Sequence, residues 1–141
     1  MPVTSSLKLL AQDAADLSII SAALQDAVAQ VGDITFEART RRLTILFNRF
    51  RWESGTRQRV RSALQIGGVL EIQTRKIRRE VSEAVVELLA IWFEAGEQPE
   101  GVLTLSFAGG GDMRVRVECI DAILADVSEP WPTPRTPTHD G

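Results

Sequence analysis

From Ile34 onward the chain is written in short runs whose apolar residues recur at every second position, ITFEA, LTILFNRFRW, VRSALQI and VLEIQT. That period puts alternate side chains on opposite faces of an extended backbone and commits most of the chain to β-structure. The links between the runs, RTRR and ESGTRQR, are polar and short enough for hairpins. Gly67 and Gly68 fall inside a strand-like stretch and mark a bend or bulge rather than a ligand-cradling loop. Farther on, VLTLSF and MRVRVEC alternate on either side of Ala108-Gly109-Gly110-Gly111-Asp112, a connection whose glycines reach positive φ without a Cβ clash.

Before Ile34 the period is helical. Asp13 is placed as an N-cap, and Leu17, Ile20, Leu24, Ala27, Val28 and Val31 follow at three-and-four spacing until Gly32 and Asp33 stop the pattern. Two segments are ambiguous. Residues 80–95 also fit a helix template through Val81, Val85, Leu88, Leu89 and Trp92, but a central strand over 85–95 is the better reading; residues 120–127 are a short helix or a last strand. EPWPTPRTPTHDG carries four prolines and reads as an extended tail, with Trp131 a possible anchor.

Three segments recur in the same order. Ile34-Thr35-Phe36-Glu37-Ala38 returns as Ile91-Trp92-Phe93-Glu94-Ala95, Leu43-Thr44-Ile45-Leu46-Phe47 as Leu103-Thr104-Leu105-Ser106-Phe107, and Arg59-Val60-Arg61 as Arg114-Val115-Arg116. The expected fold is therefore α+β. An N-terminal amphipathic helix packs on a duplicated, largely antiparallel β-meander of about seven or eight strands, sandwich or barrel-like, in a single domain over residues 1–128. The pseudo-repeats span about 34–76 and 86–127, and 129–141 form the tail. With 141 residues, such a domain buries about 70% of the surface of its unfolded chain and needs no metal or disulfide to stand.

The runs RRLTILFNRFRWE, LLAIWFEAG and LTLSFAGGGDMRVRVECIDAILAD, with the PWPTP…H ending, resemble a small alphaproteobacterial family known as a domain of unknown function (DUF2948-like). The resemblance spans nearly the whole chain. It implies a bacterial cytoplasmic protein and brings no catalytic residue with it.

Catalytic and metal chemistry find little material. Cys119 is the one thiol and lies in phase with Met113, Val115 and Val117, so it is expected as a small buried hydrophobe. His139, the one histidine, sits in the tail, where a surface or disordered side chain is expected rather than a base. The Cys and His clusters that soft or borderline ions need are missing, and Gly109-Gly110-Gly111 lacks the GK[ST] of a phosphate-binding loop. No catalytic residue, metal or cofactor is nominated, and an enzyme is not the favoured reading. The N-terminus, with one lysine, no sustained apolar run and an aspartate at position 13, is not a secretory signal, and no stretch is apolar for long enough to span a bilayer; a cytoplasmic address follows.

What remains is charge. Residues 1–38 carry one lysine against five acids (−4), residues 39–79 carry twelve basic groups against two acids (+10), and residues 80–141 carry three arginines against twelve acids (−9). On one strand Arg49 and Arg51 share a face while Phe50 and Trp52 share the other, and Arg59 and Arg61 share a face of the next strand. Antiparallel pairing of the two would gather four guanidiniums, groups that bind phosphate or carboxylate bidentately. The candidate site for an anionic partner is thus Arg49, Arg51, Trp52, Arg59 and Arg61. The opposing expectation is internal neutralisation by acids of the −9 segment. Three functions follow: a binding or adaptor module for an acidic protein or anionic ligand, a structural homodimer of charge-complementary halves, or an enzyme or sensor for a phosphorylated or acidic small molecule. A sequence pI near 5.2 makes nucleic acid a minor possibility.

Overall fold

The computed structural model describes residues 6–134 and 136–137. Within them the order is β1 (Lys8–Ala11), α1 (Ala14–Ala23), β2 (Val28–Gln30), β3 (Ile34–Glu37), β4 (Arg42–Phe50), β5 (Gln58–Ile66), β6 (Val69–Arg75), β7 (Val85–Ala95), β8 (Gly101–Phe107), β9 (Asp112–Val117), β10 (Ala122–Asp126) and β11 (Trp131–Pro132). A 3-10 turn at Val31–Asp33 joins β2 to β3. The eight expected strands are present, and three short ones, β1, β2 and β11, are added. Both ambiguous segments are strands, β7 and β10. None of the described helices is long and apolar enough to cross a membrane.

All pairings are antiparallel, in the order β1-β10-β5-β4-β2-β7-β8-β9-β6, with β3 attached to β4 and β11 to β5. The order has two free ends, β1 and β6, so the sheet does not close into a barrel. Two arms make it up. In one, β3, β4 and β5 form a meander and β10 pairs with β5; in the other, β7, β8 and β9 form a meander and β6 pairs with β9. Each meander therefore takes its fourth strand from the other's stretch of chain, and β2 bridges the arms by pairing with both β4 and β7.

The registers of the arms correspond. Ile34 stands opposite Ile45, Thr35 opposite Thr44 and Phe36 opposite Leu43; Ile91 stands opposite Leu105, Trp92 opposite Thr104 and Phe93 opposite Leu103. One strand farther on, Leu43 faces Ile66 and Leu103 faces Val115. The third sequence match is out of step, because Arg114 faces Thr104 whereas the residue facing Thr44 is Gln65, not Arg59. Arg59 faces Phe50 at the far end of its strand.

The inward faces follow the period-two pattern. Leu43, Ile45 and Phe47 on β4, Leu64 and Ile66 on β5, and Met113, Val115 and Val117 on β9 join one core with Leu17, Ile20 and Leu24 from the N-terminal segment. Asp13 caps α1, its carboxylate accepting from the Asp16 backbone N–H at 2.8 Å. The helix is shorter than its apolar spacing implies. It ends at Ala23, and Asp26 adopts φ 63°, a left-handed turn that an α-helix cannot continue through. Sheet pairing takes over there: the Asp26 N–H donates to the Leu88 carbonyl at 2.9 Å and the Leu88 N–H to Ala27 at 2.8 Å. Val28 is accordingly in a strand and Val31 in the 3-10 turn, not on the helix.

The expected tail begins as part of the sheet. Trp131 stands opposite Arg59 and Pro132 opposite Gln58 on β5, and Thr133 donates to the Arg57 carbonyl at 3.1 Å. Cys119 is exposed, not buried, because β9 stops at Val117 and the alternation that would have turned it inward stops with it. His139 lies outside the described residues.

Candidate binding surface

The nominated arginines do not form one exposed face. Arg49 shares parity with Leu43, Ile45 and Phe47, so the strand that turns those residues into the core turns Arg49 in as well, to 0% exposure. β4 ends at Phe50, and Arg51 is buried beyond it, its Nη1 donating to Gln58 Oε1, with Glu53 Oε2 3.7 Å from its Nε. Arg61 faces Asn48 across the ladder on the opposite face from Arg49. Trp52 is half-exposed, its ring 4.7 Å from that of Phe50, and its Nε1 donates to the Gln25 carbonyl at 3.3 Å.

A buried guanidinium must find acceptors for its donors and a countercharge, or the loss of hydration would unfold the strand. Arg49 finds both. Its Nε donates to Ser62 Oγ at 3.0 Å and to Asp126 Oδ1 at 3.1 Å; Nη1 and Nη2 grip the Glu53 carboxylate at 3.0 and 2.8 Å; Nη2 also reaches Asp126 Oδ2 at 3.1 Å. Ser62 Oγ donates to Asp126 Oδ1 at 2.6 Å, and the Leu7 N–H donates to Asp126 Oδ2 at 2.9 Å. Burial works against the Arg49 charge, but the two carboxylates outweigh it and hold the group more firmly protonated than an ordinary arginine. The hydrogen bonds from Arg49 in turn hold the Glu53 carboxyl below the usual carboxylate range. The cluster ties β4, β5, β10 and the approach to β1 together.

Arg61 is also claimed, by Asp33 Oδ2 at 2.9 Å and Asn48 Oδ1 at 3.2 Å. Of the nominated four, Arg59 alone has no carboxylate within ion-pair distance among the described residues. Two further pairs, Arg41–Glu118 and Arg75–Asp112, join Arg49–Asp126 in linking the basic middle of the chain to its acidic end within one molecule.

The cations left over gather elsewhere. A groove of about 490 Å³ opens between β3 and β6, walled by Ile34, Phe36, Leu43, Leu70, Ile72 and Met113, with Thr74, Ile77 and Arg79 at its side. Its size falls within the usual range of ligand sites, about 300–1,000 Å³, and its mostly apolar wall with a few polar groups is their usual composition. Arg42 adjoins Leu43, and Lys76 and Arg78 flank Ile77. All three are exposed, as is Arg79, and none of the four has a carboxylate within ion-pair distance among the described residues. Two acids are also present: Glu71 lines the groove itself and lies 3.9 Å from Arg116, and Glu37, on β3, accepts from Thr40 Oγ1 at 2.8 Å. Residues 39–42 and 75–79 were visible in the sequence as arginine-rich. Their place around a groove was not, because it depends on β6 leaving β5 to pair with β9.

Among the described residues, no group of three or more His, Cys, Asp or Glu side chains is placed to hold a metal ion. No curated protein and no solved structure matches the chain. One family model does match, over residues 7–139, and by that match the chain belongs to the family described as protein of unknown function (DUF2948).

Proposed function

We propose that this chain is a cytoplasmic, non-enzymatic binding module that holds an acidic partner against its basic segment, residues 39–79. The observation that carries the reading is the separation of two kinds of arginine. Those of the Arg49 cluster are spent on the chain's own carboxylates, whereas Arg79 lines an apolar groove and Arg42, Lys76 and Arg78 adjoin its lining residues in sequence, none of the four in an ion pair among the described residues. Guanidiniums in that state bind carboxylates without first giving up an internal partner. Arg59 is the nominated arginine without an ion pair among the described residues, but it faces Phe50 at the end of β5 away from the groove and is not part of this surface.

The test is fluorescence anisotropy of labelled polyglutamate titrated with the protein at low and high salt. Saturable binding that weakens with salt and is lost in Arg42→Glu and Arg79→Glu supports the reading. Binding that survives both reversals, or is absent at low salt, retires it.

A further inference from the structure

Two comparable places on the sheet differ in what lies on them: β10 with β7, and β6 with β3. The N-terminal segment is seated on the first, where β1 pairs antiparallel with the outer edge of β10 and α1 packs on β7, Ser21 Oγ accepting from the Ile91 N–H at 3.0 Å. The matching registers assign each residue there a counterpart. Ile91 corresponds to Ile34, Phe93 to Phe36 and Leu103 to Leu43 through the first ladder. Leu64 corresponds to Met113, Ala122 to Ile72 and Leu124 to Thr74 through the outer ladders. The second residue of each pair lines the groove. Beneath β1 and α1, Ile91, Leu103, Leu64, Ala122 and Leu124 are all buried. In the groove, Ile34, Ile72 and Thr74 are only partly buried and Phe36 is 46% exposed. The outer edge of β6, counterpart of the β10 edge that β1 covers, carries no strand among the described residues.

We propose that the groove is a second seat of the same kind, and that it takes an acidic peptide segment of a partner protein. The segment adds antiparallel to β6 as a strand and lays an apolar helical turn over Ile34 and Phe36. This rests on the binding-module reading above and takes residues 34–76 and 86–127 as related copies, which their common registers support. Backbone pairing at a free edge supplies affinity in such modes, and alternate side chains dropped into the groove supply selectivity. By the register of β1 on β10, where Leu9 faces Leu124 and Ala11 faces Ala122, those side chains stand opposite Thr74 and Ile72.

Charge selects the occupant. In the filled seat Asp126, at the end of β10, accepts the N–H of the incoming chain at Leu7; counted along the strand, its counterpart in the open seat is Lys76, one residue past the last paired residue of β6, Arg75. With Arg42, Arg78 and Arg79 nearby, the seat favours a carboxylate-bearing segment and disfavours a second copy, which would bring its own Lys76, Arg78 and Arg79 alongside β6.

The chain's own residues 6–26 supply the probe, since they form a strand followed by a helix and carry one lysine against three aspartates. A labelled synthetic peptide of that sequence is titrated into the full-length protein. Expected is saturable binding of one peptide per chain, weakened about tenfold or more by Phe36→Lys and by Arg79→Glu. Trp92→Lys, equally exposed on β7, leaves it unchanged. Because Phe36 is half-exposed, its replacement leaves the fold in place, which a far-ultraviolet spectrum checks. No peptide binding, while polyglutamate still binds in an Arg79-dependent way, overturns this proposal and leaves the broader reading standing. Peptide binding indifferent to Phe36→Lys places the peptide elsewhere and also overturns it. Peptide binding through the groove that ignores both salt and Arg79→Glu overturns the acidic partner and the broader reading together. A chain that sediments as a dimer until Phe36→Lys is introduced puts a second copy in the groove and likewise overturns the proposal.

Discussion

Two seats on one sheet share their pairing and differ in their covering. The seat of β10 and β7 is sealed: β1 covers the β10 edge, Leu17 and Ile20 enter the core, and Asp126 at the end of β10 is locked between Arg49, Ser62 and the Leu7 backbone. The seat of β6 and β3 has, among the described residues, an uncovered β6 edge, a half-exposed Phe36 and, just past the end of β6, a cation, Lys76, where the first has a carboxylate. An edge that is merely unfinished is a liability that proteins blunt with charge. Here cations outnumber acids beside an apolar groove, Arg79 and Glu71 in its lining and Arg42, Lys76 and Arg78 next to it in sequence, the excess expected of the proposed seat for an acidic partner.

The comparison breaks first at Asp126. Asp126→Ala removes a carboxylate from a fully buried guanidinium and is expected to cost about 3–5 kcal/mol in urea denaturation, as the loss of one partner of a buried pair does. Lys76→Ala, at the counterpart position just past the end of β6, is expected to change stability by less than about 0.5 kcal/mol. Equal losses at the two positions would erase the distinction between sealed and open seats. Next come the apolar pairs. Leu17→Ala on α1 empties a packed site and is expected to cost about 2–4 kcal/mol, whereas Phe36→Ala in the groove costs under about 1 kcal/mol.

Acid sharpens the contrast more gently. Arg49 holds the Glu53 carboxyl below its ordinary value of 4.5, so the folded chain takes up that proton less readily than the unfolded one. The resulting stabilisation is complete above that ordinary value and is lost as the pH falls through the lower folded one. Denaturation midpoints measured downward from pH 6 are expected to fall more steeply for the wild type than for Glu53→Gln. Identical slopes would mean that Glu53 does not feel Arg49.

Much of the sealed core was legible as pattern. The strands with clean alternation, such as Met113, Val115 and Val117, are where period two places them, and Asp13 caps the helix. Arg49 is legible in the same way, since it keeps step with Leu43, Ile45 and Phe47, although a second arginine two residues on gives the pair the look of a charged face. Three things were not legible. Lys8–Ala11 is too short to show a period, and the apolar spacing of Ala27, Val28 and Val31 continues the helical face by coincidence of strand and 3-10 geometry. The exchange of β6 and β10 between arms depends on pairings between residues about 40 to 60 positions apart, which local pattern does not encode. The groove exists only because of that exchange.

The most direct measurement is amide hydrogen exchange with and without the peptide of residues 6–26. In the free protein, exchange along β10, covered by β1, is expected to be slow and that along β6 markedly faster. Added peptide is expected to slow exchange at residues 70–75 while leaving β10 unchanged. Equal protection of β6 and β10 in the free protein, or protection gained anywhere but β6, would contradict the vacant second seat.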